Sequence, residues 1–410
     1  MTEDQSRELV DFARGTGIFQ VLDALNDWKA RHGNRDQAIG RFGIGGYHDL
    51  LSPPQVREAM AKEIDNPTIY PHVKGWKYVR EAVAGRFSRA CKVEVDPSTE
   101  VCLGCGGREV LFVLLRTLLK RAKGRKKGAR KVIVSDPCYG GQYHAIVEAG
   151  GIPICIPCGF DTDYYAAAIE QLVQDGEEIV AVFIDEIHNP TGFRPTRKQM
   201  EALSQAAEAA SAVIIGDEVY RELVHKGEPV ESILQLVPHK EVEVVAIISG
   251  SKLYAMSRDR IGALVGHHEI MKDFVDERAK INYGPPSIIE AGYAAALNSC
   301  DDDIVEMAAR MGRRATLTFN GFRSAGWANF TPPPEDGIFQ LSDIPEGYPD
   351  ALTFCIKAAR EEGLEIWPAP PFGHKGNKGL RQKVRIPYVE HENQLPEAFD
   401  AMKRFLERRA

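Results

Sequence analysis

Short apolar, β-branched runs recur through the middle of this chain, each bounded by polar or glycine-rich sequence. Val180-Ala181-Val182-Phe183-Ile184, Ala212-Val213-Ile214-Ile215 and Val244-Val245-Ala246-Ile247-Ile248 are apolar at every position, not at alternate ones. That is the pattern of parallel strands buried on both faces. Glu100 to Leu103 and Lys131 to Val134 read as further short strands, and a helical pattern runs from Val110 to Leu119. Strands and helices thus alternate between about 100 and 265, which predicts βα units and an α/β fold. The flanks read as α+β: a helix starting near Lys77, strands at Gly337–Leu341 and around Lys383–Pro387, and a last helix near Pro396 to Arg408. The expected division is residues 1–60 as an N-terminal arm and part of a smaller domain. Residues 61–300 then form the large domain and 301–410 the C-terminal part of the smaller one.

Composition narrows the class. With 410 residues, 44% of them hydrophobic, the chain is long enough to bury two cores. A net charge of −7, from 51 Lys+Arg against 58 Asp+Glu, gives no general pull toward nucleic acid or membrane. The acidic start Met1-Thr2-Glu3-Asp4-Gln5 is unlike a secretory signal, and no apolar run approaches spanning length, so a cytoplasmic protein is expected. Eight cysteines include two C-x-x-C pairs, Cys102/Cys105 and Cys155/Cys158. The first straddles a glycine-rich turn; the second lies in a strand-like run, where residues three apart face opposite ways. They read as small unpaired thiols, with no metal expected. The basic cluster Lys120, Arg121, Lys123, Arg125, Lys126, Lys127, Arg130 and Lys131 joins a helix end to a strand start. It reads as a solvated connection, away from the chemistry.

The chemistry lies where the apolar runs stop. Val244–Ile248 runs into Ser249-Gly250-Ser251-Lys252, followed eight residues later by Arg260 and then Ile261-Gly262. A lysine just past a parallel strand sits at the carboxyl edge of the sheet, where open α/β folds place ligands. Ser249 and Arg260 are spaced to meet one phosphate while the amine meets a carbonyl, the chemistry of a Schiff-base lysine and a phosphorylated aldehyde. The strand at 180–184 leads into His188-Asn189-Pro190-Thr191-Gly192, and that at 212–215 into Gly216-Asp217-Glu218-Val219-Tyr220. One sheet brings all three strand ends to the same edge. A fourth strand ends in Gly104-Cys105-Gly106-Gly107-Arg108-Glu109, a turn that opens a helix and so presents N–H groups to an anion. It lacks the glycine spacing of a nicotinamide site.

Asn-Pro-Thr-Gly, Asp-x-x-Tyr and Ser-x-x-Lys-x7-Arg-x-Gly, in this order, resemble the class I/II aminotransferases, the fold-type I enzymes that use pyridoxal 5′-phosphate (PLP). The likeness runs from about Gly43 to Arg385. It implies a large domain with a mostly parallel seven-stranded sheet between helices, plus a smaller α+β domain from both chain ends. It also implies a homodimer with shared active sites, an α-amino acid as substrate and a 2-keto acid as its counterpart.

The resemblance assigns Lys252 to the internal aldimine and to proton transfer. Asp217 faces the pyridine nitrogen and keeps it protonated, which makes the ring an electron sink. Tyr220 and Asn189 bond the phenolate oxygen, while Ser249, Arg260, Gly106, Gly107 and Arg108 hold the phosphate. Family members often carry Ser or Thr where Gly107 or Arg108 stands. Tyr139 matches the aromatic that stacks on the ring. Tyr70 matches the tyrosine that reaches the neighbouring subunit's phosphate. Arg385, in Lys383-Val384-Arg385-Ile386-Pro387, matches the arginine that grips the substrate carboxylate. Gly45 lies where the backbone approaches substrate, and Lys280 where dicarboxylate-specific relatives carry an arginine. The same constellation serves lyases and enzymes that replace β- or γ-substituents or cyclise S-adenosylmethionine-like substrates; transamination is the preferred expectation. A PLP-sensing transcription regulator would need room for a DNA-binding domain ahead of these motifs.

Overall fold

The computed structural model describes residues 16–33, 37–67, 69–125, 130–157, 162–374 and 377–408. Residues 1–15, Lys126, Lys127 and Cys158 lie outside that set. Eleven strands occur among the described residues, the first six being β1 (Gly40–Phe42), β2 (Val101–Gly104), β3 (Lys131–Ser135), β4 (Ile152–Ile156), β5 (Ile179–Asp185) and β6 (Val213–Asp217). The rest are β7 (Val244–Ser249), β8 (Gly262–Gly266), β9 (Phe339–Asp343), β10 (Leu364–Pro368) and β11 (Lys383–Pro387).

Seven of them form one sheet in the order β2-β8-β7-β6-β5-β3-β4. All neighbours are parallel except at β8, which runs antiparallel to β2 and β7. The apolar runs at 180–184, 212–215 and 244–248 become β5, β6 and β7, its centre. Successive residues serve opposite layers: Val244 and Ala246 join the core that also holds residues of helix Lys77–Cys91, while Val245 and Ile247 join the core under helix Gly107–Arg125. A strand covered on both sides has no reason to alternate polar with apolar.

The second sheet, β1-β10-β11-β9, joins the two chain ends: β1 pairs in parallel with β10, and β11 lies antiparallel between β10 and β9. Its core holds Trp28, Phe42, Phe322, Trp327, Phe354 and Phe405. Helix Ala351–Glu362 begins at Asp350, whose side chain accepts from Thr353 N–H, and ends at Gly363 with φ 67°. Helix Pro54–Glu63 lies against the other body, with Gly292 so close to Val56 and Met60 that a Cβ there would collide.

Two boundaries differ from the sequence reading. The strand expected from Gly337 starts at Phe339, because Gly337 takes a left-handed φ of 73° and donates its N–H to Leu223 instead of a neighbouring strand. The helix expected from Val110 starts at Gly107, so the glycine turn already supplies helical N–H groups. No helix among the described residues is long and apolar enough to cross a membrane. The basic connection pairs locally: Lys120 with Glu277, Arg121 with Glu243 and Asp273, and Lys131 with Glu177.

Candidate active site

Ser249 ends β7, and its Oγ accepts from the Ser251 N–H, capping the short helix Gly250–Leu253 that carries Lys252. Lys252 Nζ donates to the Gly45 carbonyl, and Tyr47 OH donates to the Lys252 carbonyl at 3.0 Å. Burial, then the charges of Arg385 and Arg260, lowers the amine from 10.5 to about 8. Free amine is therefore present near neutral pH.

Beside it, the turn after β2 opens helix Gly107–Arg125, whose first N–H groups and dipole end are unsatisfied by the helix itself. Gly106 has φ 86°, and a Cβ there would collide with Arg260 Nη2; one on Gly107 would lie 3.8 Å from Ser249 Cβ. Gly106, Gly107, Ser249 and Arg260 thus converge. Arg260 Nη1 donates to Ser257 O at 2.9 Å. The Arg108 side chain turns to donate to Tyr139 OH at 2.6 Å, its guanidinium carbon 5.6 Å from that ring. Tyr139 opens helix Gly140–Glu148, its ring pressed so close over Gly141 that a Cβ there would strike it.

Asp217 ends β6. Its Oδ2 accepts from Gln142 Nε2 at 3.2 Å, while Oδ1 is buried with no hydrogen-bond partner. Burial pushes this carboxyl up from 3.8 to about 6. Tyr220 stands edge-on to Phe339, with ring centroids 5.6 Å apart, and burial pushes its phenol well above 10.

Arg385 comes from the other sheet. It is 3% exposed, yet no carboxylate among the described residues lies within ion-pair distance of it. Its Nη2 donates to Gly43 O at 2.6 Å and its Nη1 approaches Asn189 Oδ1 at 3.4 Å; Nε has no partner. The guanidinium carbon sits 4.3 Å from the Phe339 ring, 4.2 Å from Phe372 and 5.4 Å from Trp367. Burial without an anion lowers even this group to about 10. A buried cation held only by carbonyls and ring faces is costly. A carboxylate delivered by a ligand would satisfy it.

The comparisons with known proteins agree with this geometry. The profile described as aminotransferase class I and II matches residues 39–401. The chain belongs to the class I and II aminotransferase family. An aspartate aminotransferase of Bacillus subtilis (strain 168) is 26% identical over 376 residues, covering 90% of this chain and 91% of that protein. The LL-diaminopimelate aminotransferase of Gloeobacter violaceus is 26% identical over 373 residues, 86% and 90% of the two chains. In fold, the chain superimposes on the substrate-bound BacF structure from Bacillus subtilis with a TM-score of 0.82 at 21% identity, covering 92% of each chain.

In this aminotransferase the expected residues meet in pairs: Lys252 with Gly45, Arg385 with Asn189, Arg108 with Tyr139, Arg260 with Gly106 and Gly107 with Ser249, while the Arg385 charge reaches both Lys252 and Tyr220. Two expected residues stand apart from these. Tyr70 is 87% exposed and meets Tyr283 at a ring distance of 6.0 Å. Lys280 is exposed, its Nζ 2.5 Å from Glu277 Oε1. The sequence reading passed over Gln142, Tyr47 and the aromatic walls Phe339, Phe372 and Trp367. Tyr47 stood two residues from Gly45 and Gln142 three from Tyr139, the only hint available. Among the described residues no disulfide is formed.

Proposed function

We propose that this aminotransferase uses PLP and transfers the amino group of an α-amino acid to a 2-keto acid, as a homodimer that shares residues between its sites. The observation that carries the reading is Arg385, a buried guanidinium without a carboxylate partner among the described residues, close enough to Lys252 that its charge helps to lower that amine's pKa. The donor set fits the cofactor. Asp217 Oδ1, sealed and unpartnered, suits a protonated ring nitrogen. Arg260 and the first N–H groups of helix Gly107–Arg125 suit a dianionic phosphate, with Ser249 beside them. Lys252 suits the aldehyde, and Asn189 and Tyr220 the phenolate edge.

When bound, PLP supplies an electron sink that acidifies the Cα–H of the amino acid joined to it. The chain does the rest. Arg385 exchanges the Gly43 carbonyl for the substrate carboxylate, whose two oxygens match its fork. Phe339, Phe372 and Trp367 exclude water around that ion pair and strengthen it. Lys252, once released, takes the proton from the substrate Cα, and its pKa of about 8 lets it both accept and return a proton near neutral pH.

Support for the homodimer comes from the surface. Ile64, Ile69, Tyr70, Ile281 and Tyr283 are each more than half exposed, and the Tyr70–Tyr283 contact joins the two segments. Water-exposed apolar clusters of this kind mark interfaces. In a dimer Tyr70 would reach the partner's phosphate, and Lys280 would stand near the partner's substrate side chain.

The relatives named above are aminotransferases, which favours transamination over elimination, replacement or cyclisation. The test is a single turnover without added keto acid. One equivalent of 2-keto acid per site, with further turnover only after a second keto acid is added, is the expected result. Continuous turnover with loss of a β- or γ-substituent would overturn it.

A further inference from the structure

β5 and β6 end at Asp185 and Asp217, each followed by a glutamate, and their register sets Asp185 directly beside Asp217. The strands alternate, so Asp185 and Asp217 share the face covered by helix Gly140–Glu148. That helix supplies Gln142, whose side chain is 1% exposed as a residue and whose Nε2 donates to Asp185 Oδ1 at 2.9 Å and to Asp217 Oδ2 at 3.2 Å. One amide thus clamps two carboxyl groups, and the second oxygen of Asp217, Oδ1, is left buried without a hydrogen-bond partner.

Among the described residues no lysine or arginine lies within ion-pair distance of Asp185; the basic group that does is His188, whose Nε2 lies 3.9 Å from Asp185 Oδ2. Its state follows from its bonds. Ser135 Oγ donates to Pro137 O at 2.8 Å, so it accepts from His188 Nε2–H at 2.9 Å; Nδ1, 2.6 Å from Thr191 Oγ1, is then the acceptor. The ring is neutral, and burial lowers its pKa to about 4. Two carboxylates bridged by one neutral amide in a buried place do not both ionise. Burial, then the Asp217 charge, holds the Asp185 carboxyl well above the usual range, and with Asp217 facing the cationic ring nitrogen the shared proton falls to Asp185.

We propose that Asp185 is a positioning residue that stays protonated in the working enzyme and, through Gln142, fixes the Asp217 carboxylate as the single anion facing the ring nitrogen. This rests on the reading of Asp217 given above. The arrangement explains how a carboxylate with no cation of its own among the described side chains keeps one defined orientation before the cofactor arrives.

The test uses holoenzyme loaded with 15N-ring-labelled PLP, in the wild type and in Asp185→Ala, Asp185→Asn and Asp217→Asn. Asp217→Asn sets the ring-nitrogen shift expected when the facing anion is lost. Asp185→Ala, which leaves Gln142 with one anchor, should move the shift part of the way there and lower kcat about tenfold, with the KM of the amino acid unmoved. Asp185→Asn, neutral like the protonated acid and still an acceptor for Gln142, should restore the shift and most of kcat. It should also remove a protonated-carboxyl band from the infrared spectrum. Two results would overturn the proposal alone: a normal Asp217→Asn response with Asp185→Ala at the wild-type shift, or Asp185→Asn as impaired as Asp185→Ala. An Asp217→Asn shift identical with wild type would instead remove the assignment of Asp217, and this proposal with it.

Discussion

Lys252, half-buried, and Arg385, buried, have no anionic partner among the described residues, and each tolerates this differently. The lysine shifts its pKa to about 8 and rests on the Gly45 carbonyl. The arginine stays charged and leans on Gly43 O and three aromatic rings. Lys252→Ala should therefore abolish the visible band of bound cofactor and reduce turnover by at least about 10²–10⁴-fold, the share of acid–base catalysis alone. Borohydride reduction of the wild type followed by peptide mapping should place the label on Lys252; a label elsewhere would refute the assignment. Because folding lowers this pKa, the amine is protonated below about 8 and free above it. Attachment of PLP to cofactor-free protein should accelerate by about tenfold per pH unit up to that point and then level off. Arg385→Lys replaces a fork with a point charge and should cost on the order of 1–3 kcal/mol of substrate binding, roughly 10–100-fold in KM. Titration of PLP into the same variant checks selectivity: an equal loss of cofactor affinity would contradict a substrate-only role.

At the scale of the element, the proposed phosphate pocket depends on a turn that favours glycine. Gly106 holds φ 86° under the Arg260 guanidinium, so a methyl group is strained by its backbone and displaces that side chain. Gly106→Ala should weaken PLP binding by about 1–3 kcal/mol, the cost of a strained left-handed residue, while the isolated fold persists. Fluorescence titration with PLP measures the first, and thermal unfolding of the cofactor-free protein the second. Unchanged affinity would show that Arg260 does not need its place above the turn.

At the scale of the whole molecule, the proposed homodimer would cover the two exposed tyrosines and their apolar neighbours. Mixing Lys252→Ala with Tyr70→Phe subunits tests sharing. In a hybrid dimer one site combines Lys252 of one chain with Tyr70 of the other and is intact. Random reassociation of such a two-fold pair should yield roughly a quarter of the wild-type sites, starting from parents of low activity. No recovery, with hybrids verified by native mass spectrometry, would confine Tyr70 to its own chain's surface.

The sequence by itself determined what neighbouring residues decide. Unbroken apolar runs made β5, β6 and β7 unmistakable, and the small or polar residues that stop them put Asn189, Asp217 and Lys252 at one edge, because parallel strands in one sheet share a direction. The glycine turn before helix Gly107–Arg125 was legible for the same local reason. Only the tertiary structure decided which groups these residues meet. Lys252 and Gly45 are separated by 207 positions and Arg385 and Gly43 by 342. No periodicity encodes such pairs; they exist because the second sheet, built from both chain ends, closes over the edge of the first. The same holds for Gln142 between Asp185 and Asp217, where strand register set two unremarkable Asp-Glu dipeptides side by side. Burial, which sets the charge state of every one of these groups, is a property of that closure and not of any segment alone.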